Sequence, residues 1–320
     1  MTFSLKTALM ASLAAVAYAL PSGPKLDQDQ MNLYKLAKRQ NDRARQSGLT
    51  DIDILQFALT LEWLEGVFYQ QGFARFPPED FAALGLSPQE IADLRKVGET
   101  EFDHASFLQS AIAQAGFQPV QPCNYNFGFT DAAGMVATAL VLESVGVSAY
   151  LGAASLVADA GILTAAGSIL TVEARHQTFL RAATRQIAIP QPFDTPLGPR
   201  AVFSLAAPFF ESCPEGSNLL VEPFPALAMA DPAANPAAVA IGSVVRLQSE
   251  AAPQAVACGF TTGGLPGGTT FSPFDAATGG CEVPQHISGV VYVSLTSEAP
   301  LNGVLTDEIT LAGPMVLTIS

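Results

Sequence analysis

Two short segments of this chain repeat with the donor atoms a metal ion needs. Glu101-Phe102-Asp103-His104 matches Glu173-Ala174-Arg175-His176, and both run on into Phe-Leu (Phe107-Leu108, Phe179-Leu180). A second repeat interleaves with the first. Ala58-Leu59-Thr60-Leu61-Glu62 matches Ala139-Leu140-Val141-Leu142-Glu143, and a tyrosine follows each glutamate seven residues on, Tyr69 and Tyr150. On a helix, residues three apart lie one turn up and about 60° around, so the Glu and His of each pair reach one ion. Residues seven apart differ by only about 20°, which puts each Tyr on its glutamate's face. Glu62, Glu101, His104, Glu143, Glu173 and His176 form the donor set of a pair of iron or manganese ions held in a bundle core.

Each element alone is weak, because a single Glu-x-x-His is usually solvated or paired with a neighbour. Glu143 is harder to set aside. It is the only charged residue between Ala132 and Ala158, and an unpaired ionised carboxylate on so apolar a helix needs a proton, a cation or a metal. Glu65, one turn beyond Glu62, is either a rival ligand or an acceptor behind the ligands. The repeat favours Glu62, since Glu65 aligns with Gly146. Tyr69 and Tyr150 can hydrogen-bond ligand carboxylates, relay electrons or simply pack. Asp103 and Arg175 orient ligands or face solvent, Trp63 is core, and His286 receives no role.

Four helices must carry these groups. Thr50 and Asp53 form a cap before the apolar run Ile54 to Tyr69, and Ser87-Pro88-Gln89-Glu90 opens a second helix to about Ala115. Thr130-Asp131 starts a third, expected to reach Asp159, and Gly161 turns the chain into a fourth that ends before Pro190. The apolar stretch Ala132 to Ala158 is long enough to span a membrane. Its small residues, its central Glu143 and a repeat partner bearing Glu62 and Glu65 instead favour a soluble bundle. Beyond Pro190 recurrent prolines preclude long helices, and Ala201–Leu205, Ile241–Leu247, Val290–Leu295 and Met315–Ile319 read as strands of an antiparallel sandwich. The fold class is therefore α+β, a four-helix bundle over residues 50–189 followed by a β-rich domain over 190–320.

The 29 acidic residues against 15 basic ones, for a formal charge of −14, exclude a nucleic-acid footprint. Residues 1–19 read as a secretory signal peptide, with Lys6, the apolar run Ala8 to Ala17 and the exit Ala17-Tyr18-Ala19. Residues 20–49 are polar and irregular, with a dibasic Lys38-Arg39 where a propeptide could end. Cys123, Cys213, Cys258 and Cys281 lack zinc-ribbon spacing, so an exported chain would form two disulfides, with all three pairings open.

The ordered set Glu, Glu-x-x-His, Glu, Glu-x-x-His resembles the ferritin-like superfamily, whose second and third helices run parallel. Gly116 to Phe129, about 45 Å when extended, can supply the crossover. With the signal peptide, the Ala-Leu-x-Leu-Glu helix starts and the Cys-bearing tail around Gly263-Gly264-Leu265-Pro266-Gly267-Gly268, the chain resembles more narrowly the secreted fungal ferritin-like proteins. These are related to plant desiccation-related proteins and linked to stress response or sexual development. The resemblance implies a secreted or wall-associated redox protein with two Fe or Mn ions, reactive toward oxygen or peroxide as a ferroxidase or catalase-like enzyme. The alternative is a non-catalytic metal-binding stress or developmental protein whose β-domain is an interaction module, for cell wall or for a second copy. No membrane partner is expected.

Overall fold

The computed structural model describes residues 48–217, 221–231, 234–236 and 239–319. The signal peptide and the dibasic site lie outside them. Four long helices dominate the first half: α1 (Asp51–Arg75), α3 (Pro88–Gln114), α4 (Ala132–Ala153) and α5 (Ala160–Ala183), with a short α2 (Pro78–Ala83) between the first two. Their starts follow from side chains that satisfy orphan backbone N–H groups. Thr50 and Ser87 form capping boxes with Asp53 and Glu90, and Asp131 and Asp159 accept from the first turns of α4 and α5. Asp51 also accepts from the backbone of Ala158 and Asp159, at 2.8 and 2.9 Å. That contact fastens the start of α1 to the turn joining α4 and α5, so α1 runs antiparallel to α4.

The third helix ends at Ala153, short of the expected Asp159. The chain crosses beside its last turns. The Leu197 amide donates to the Ser148 carbonyl at 3.0 Å, and a Cβ on Gly152 would stand 1.9 Å from the Leu197 carbonyl oxygen. Only glycine admits that approach.

The crossover between α3 and α4 carries β1 (Asn124–Tyr125), which pairs with β2 (Phe210–Ser212). The disulfide Cys123–Cys213 locks this pair. Ala201–Leu205 is a correction: instead of a strand it forms most of α6 (Pro199–Ala206). Pro199 at the first helical position presets the backbone, and Val202, Phe203 and Ala206 bury one face. Burial at helical spacing overrides the β-preference of Val and Phe.

The remaining strands are β3 (Ala228–Met229), β4 (Val244–Gln248), β5 (Ala257–Thr261), β6 (Thr269–Pro273), β7 (Gly280–Glu282), β8 (Gly289–Thr296) and β9 (Thr310–Ile319). They form antiparallel sheets ordered β3-β4-β7 and β6-β5-β8-β9. One core holds Val245 and Leu247 of the first with Phe260, Val291 and Leu317 of the second, and Cys258–Cys281 bridges the two.

The sheets rest on α4. Val145 and Ala149 pack with Leu197, Val202, Val290 and Tyr292. The Tyr292 hydroxyl donates to the Ser144 carbonyl at 2.9 Å and lies 2.7 Å from Ser148 Oγ. By length and composition α4 is a helix that could cross a membrane, yet 67% of its apolar window is buried within the protein. Being covered on opposite sides explains why it is apolar all round.

Candidate metal centre

The six predicted donors converge. Glu62 comes from α1, Glu101 and His104 from α3, Glu143 from α4, and Glu173 and His176 from α5. The four glutamates are 0–1% exposed. His104 Nδ1 lies 3.3 Å from Glu62 Oε2 and 3.2 Å from both Glu101 Oε2 and Glu173 Oε1. His176 Nδ1 lies 2.8 Å from Glu101 Oε1 and 3.1 Å from Glu143 Oε2. Two overlapping donor groups result, Glu62/Glu101/His104/Glu173 and Glu101/Glu143/Glu173/His176. Within each, the donor atoms all fall within 4.8 Å of one another. Glu101 and Glu173 belong to both.

Protein hydrogen bonds do not account for this packing of acid. Glu62 Oε2, Glu101 Oε1 and both oxygens of Glu173 are sealed from solvent and accept no hydrogen bond. Glu101 Oε1 is close enough to His176 for ion pairing but not aligned for a hydrogen bond. Buried carboxylate oxygens in that state need protons or a cation. Their oxygens, with two imidazole nitrogens, are donors that suit iron or manganese.

The protonation pattern agrees. Burial first, then the charge of Glu143, pushes Glu101 up to about 7. Burial and the neighbouring glutamates raise Glu173 and Glu65 well above the carboxylate range. Burial alone would lower His104, but its hydrogen bond to Glu101 and its close approach to the Glu173 and Glu62 carboxylates prevail and push it up to about 12. Burial would likewise lower His176, but the adjacent Glu101 carboxylate and the hydrogen bond to Glu143 push it up to about 9. Without a cation, the cluster holds itself together by retaining protons.

Residues around the cluster orient it. Tyr69 on α1 donates to Glu143 Oε1 on α4, and Tyr150 on α4 donates to Glu62 Oε1 on α1. The two tyrosines thus exchange glutamates rather than serving their own, and each leaves Oε2 aimed at the cluster. Both are buried, and burial with the adjacent carboxylate raises both hydroxyls well above the usual range, so they remain donors. Glu65 is buried beside Glu173 but belongs to neither donor group. The Gly146 position that the repeat aligns with it is where space is scarce. A Cβ there would stand 2.6 Å from Glu173 Oε2 and 3.4 Å from Glu65 Oε1.

One orienting residue escaped the sequence. Thr100 Oγ1 lies 3.0 Å from His176 Nε2 while donating its own proton to the Val97 carbonyl at 2.6 Å. The hydroxyl therefore accepts from Nε2–H, which leaves the Nδ1 lone pair for an ion. The repeat places Val172 opposite Thr100, so no internal match marked it. Asp103 and Arg175 are exposed, His286 sits exposed in a turn, and Trp63 packs beside Phe102 while donating to the Val120 carbonyl.

The helical fold agrees with what the chain is similar to. Residues 50–186 match the family model of the ferritin-like domain. Protein rds1 of Schizosaccharomyces pombe is 26% identical over 186 residues, which cover 57% of this chain and 45% of that protein. The chain therefore spans less than half the length of this curated relative. Four capped helices, a crossover of the required length and a buried Glu/His cluster agree with that match: residues 50–186 are a ferritin-like domain, in a chain that is similar to a fungal protein.

Proposed function

We propose that the protein is an exported metalloprotein that holds two Fe or Mn ions and reacts with oxygen or peroxide. The observation that carries this reading is the pair of overlapping donor groups sharing Glu101 and Glu173, with four buried carboxylate oxygens left without hydrogen-bond donors. Glu62 and His104 would complete one position, Glu143 and His176 the other. Such ions supply one-electron chemistry toward small oxidants.

The chain's own residues supply the rest. Tyr69 and Tyr150 hold Glu143 and Glu62 by Oε1, and Thr100 fixes the His176 tautomer. The apolar wall of α4 excludes water. Glu65 keeps a proton beside Glu173, because burial and the surrounding carboxylates disfavour its charge. The imidazoles are the least sealed part of the cluster, 11% and 9% exposed against 0–1% for the glutamates, so a small oxidant would arrive along their edges. Export is supported by the two disulfides and by the signal-like residues 1–19, and the resemblance of the motifs to secreted fungal ferritin-like proteins supports a role in stress or development.

The test is anaerobic loading of the full chain with Fe(II) or Mn(II), followed by elemental analysis and then exposure to air or peroxide. Two ions per chain and stoichiometric metal oxidation are expected, with Glu101→Gln plus Glu173→Gln abolishing retention. A chain that retains no metal after desalting overturns the reading. Retention of two ions that stay inert to both oxidants would leave sequestration as the function.

A further inference from the structure

A cavity of about 340 Å³ lies between α4, the C-terminal end of α5 and strands β8 and β9, and none of the six cluster donors lines it. Its size falls within the range that holds small ligands (~300–1,000 Å³). Its walls are mainly aliphatic, with Val136 and Leu140 on one side and Val290 and Val316 on the other; Ser144, Thr184 and Thr318 add hydroxyls, and no aromatic ring contributes. Against this background one wall residue carries a full charge. Arg181 is 2% exposed. Its Nε donates to the Ile187 carbonyl at 2.7 Å, its Nη1 is buried without a partner, and among the described residues it pairs with no carboxylate. The nearby Gln186 side-chain oxygen is likewise buried and unpartnered.

A structural clamp accounts for Nε but leaves the charge unmatched, and a buried cation without a counter-ion is strongly disfavoured. Nor does the internal repeat require it, because the position matching Arg181 after Phe-Leu is Gln109. A guanidinium favours a planar, forked acceptor, which a carboxylate provides. We propose that this cavity binds an aliphatic carboxylate, its head paired with Arg181 and its alkyl body against the Val and Leu walls. The site is separate from the metal centre and does not rest on it.

Titration calorimetry on the full-length chain tests this with decanoate and, as its uncharged counterpart, decanol. Saturable one-to-one decanoate binding is expected, with decanol weaker by about tenfold or more. Arg181→Gln removes that preference, and Ala137→Phe, which adds a ring at the partly open rim of the cavity, abolishes binding of both. Circular dichroism reports whether each variant folds. If Arg181→Gln does not fold, the decanoate/decanol comparison on the unaltered chain and the Ala137→Phe result decide the matter. No saturable decanoate binding, equal binding of decanol, or binding untouched by Ala137→Phe overturns the proposal.

Discussion

Tyr150 donates its hydroxyl to Glu62, the glutamate seven residues before Tyr69, and Tyr69 returns the bond to Glu143, seven residues before Tyr150. The exchange ties α1 to α4 across the bundle, where the helices would otherwise meet as two like-charged faces. Replacing Tyr150 or Tyr69 by Phe leaves a buried carboxylate oxygen unsatisfied. Each substitution should lower the stability of the metal-free protein by about 1–3 kcal/mol in urea unfolding. Each should also weaken metal retention about 10–100-fold in chelator competition. Unchanged affinity in both variants would reduce the tyrosines to core packing.

Gly146 offers a sharper probe, because it separates the site from the fold. Gly146→Ala brings a methyl group against Glu173 Oε2, so metal affinity should fall by about tenfold or more. Gly167 lies mid-helix on α5, and a Cβ added there would meet nothing within 4 Å. Gly167→Ala should therefore raise stability by about 0.5–1 kcal/mol with affinity unchanged. Calorimetric unfolding beside metal competition distinguishes the two outcomes.

The protons held by the cluster set a pH dependence whose sign is fixed. Folded Glu101 keeps its proton up to about 7, whereas the unfolded residue ionises near 4.5, so this contribution is lost as pH rises between those values. His176 loses its proton near 6.5 when unfolded and near 9 when folded. Its contribution is complete below about 6.5 and gone above about 9. Metal-free protein should therefore weaken from pH 5 to 9, by up to ~1.4 kcal/mol per pH unit for each group. A bound cation displaces those protons, so the rise in Tm on metal addition should grow over the same interval. A Tm difference that is flat with pH would contradict the assignment.

The Cys123–Cys213 bridge closes a loop of 90 residues that includes α4 and α5. Replacing both cysteines by Ala should cost about 3–5 kcal/mol, chiefly by freeing the unfolded chain. Metal stoichiometry should persist, since no donor lies in the clamped strands. Denaturant unfolding and elemental analysis of the double variant check both halves.

The convergence of the six Glu and His side chains was legible because helical period and internal repetition both pointed to it. Glu62 and Glu143 head matching segments, and each Glu-x-x-His spacing has only one helical geometry. The same logic failed where the repeat breaks. Thr100 acts on His176 from another helix and faces Val172 in the alignment, so neither spacing nor symmetry exposed it. The tyrosine partners were placed on the right faces, but which glutamate each would reach depends on how α1 and α4 cross, a relation no single helix encodes. Ala201–Leu205 misled because Val and Phe favour strands in isolation, whereas Pro199 and the buried face of α6 decide otherwise. The membrane-like α4 was apolar for a tertiary reason, its second cover of sheet residues lying more than a hundred positions downstream.

That cover has a mechanical consequence. Tyr292 grips the backbone of α4 at Ser144, the residue after Glu143, so a strand from the far end of the chain presses on the helical turn that presents a donor to the cluster. The bundle is thus not an autonomous cartridge. Severed after Pro190, it would bare the valines of α4 to water and surrender the brace beside Glu143, and whatever pulls on the sheets outside would be felt at the buried glutamates and imidazoles within.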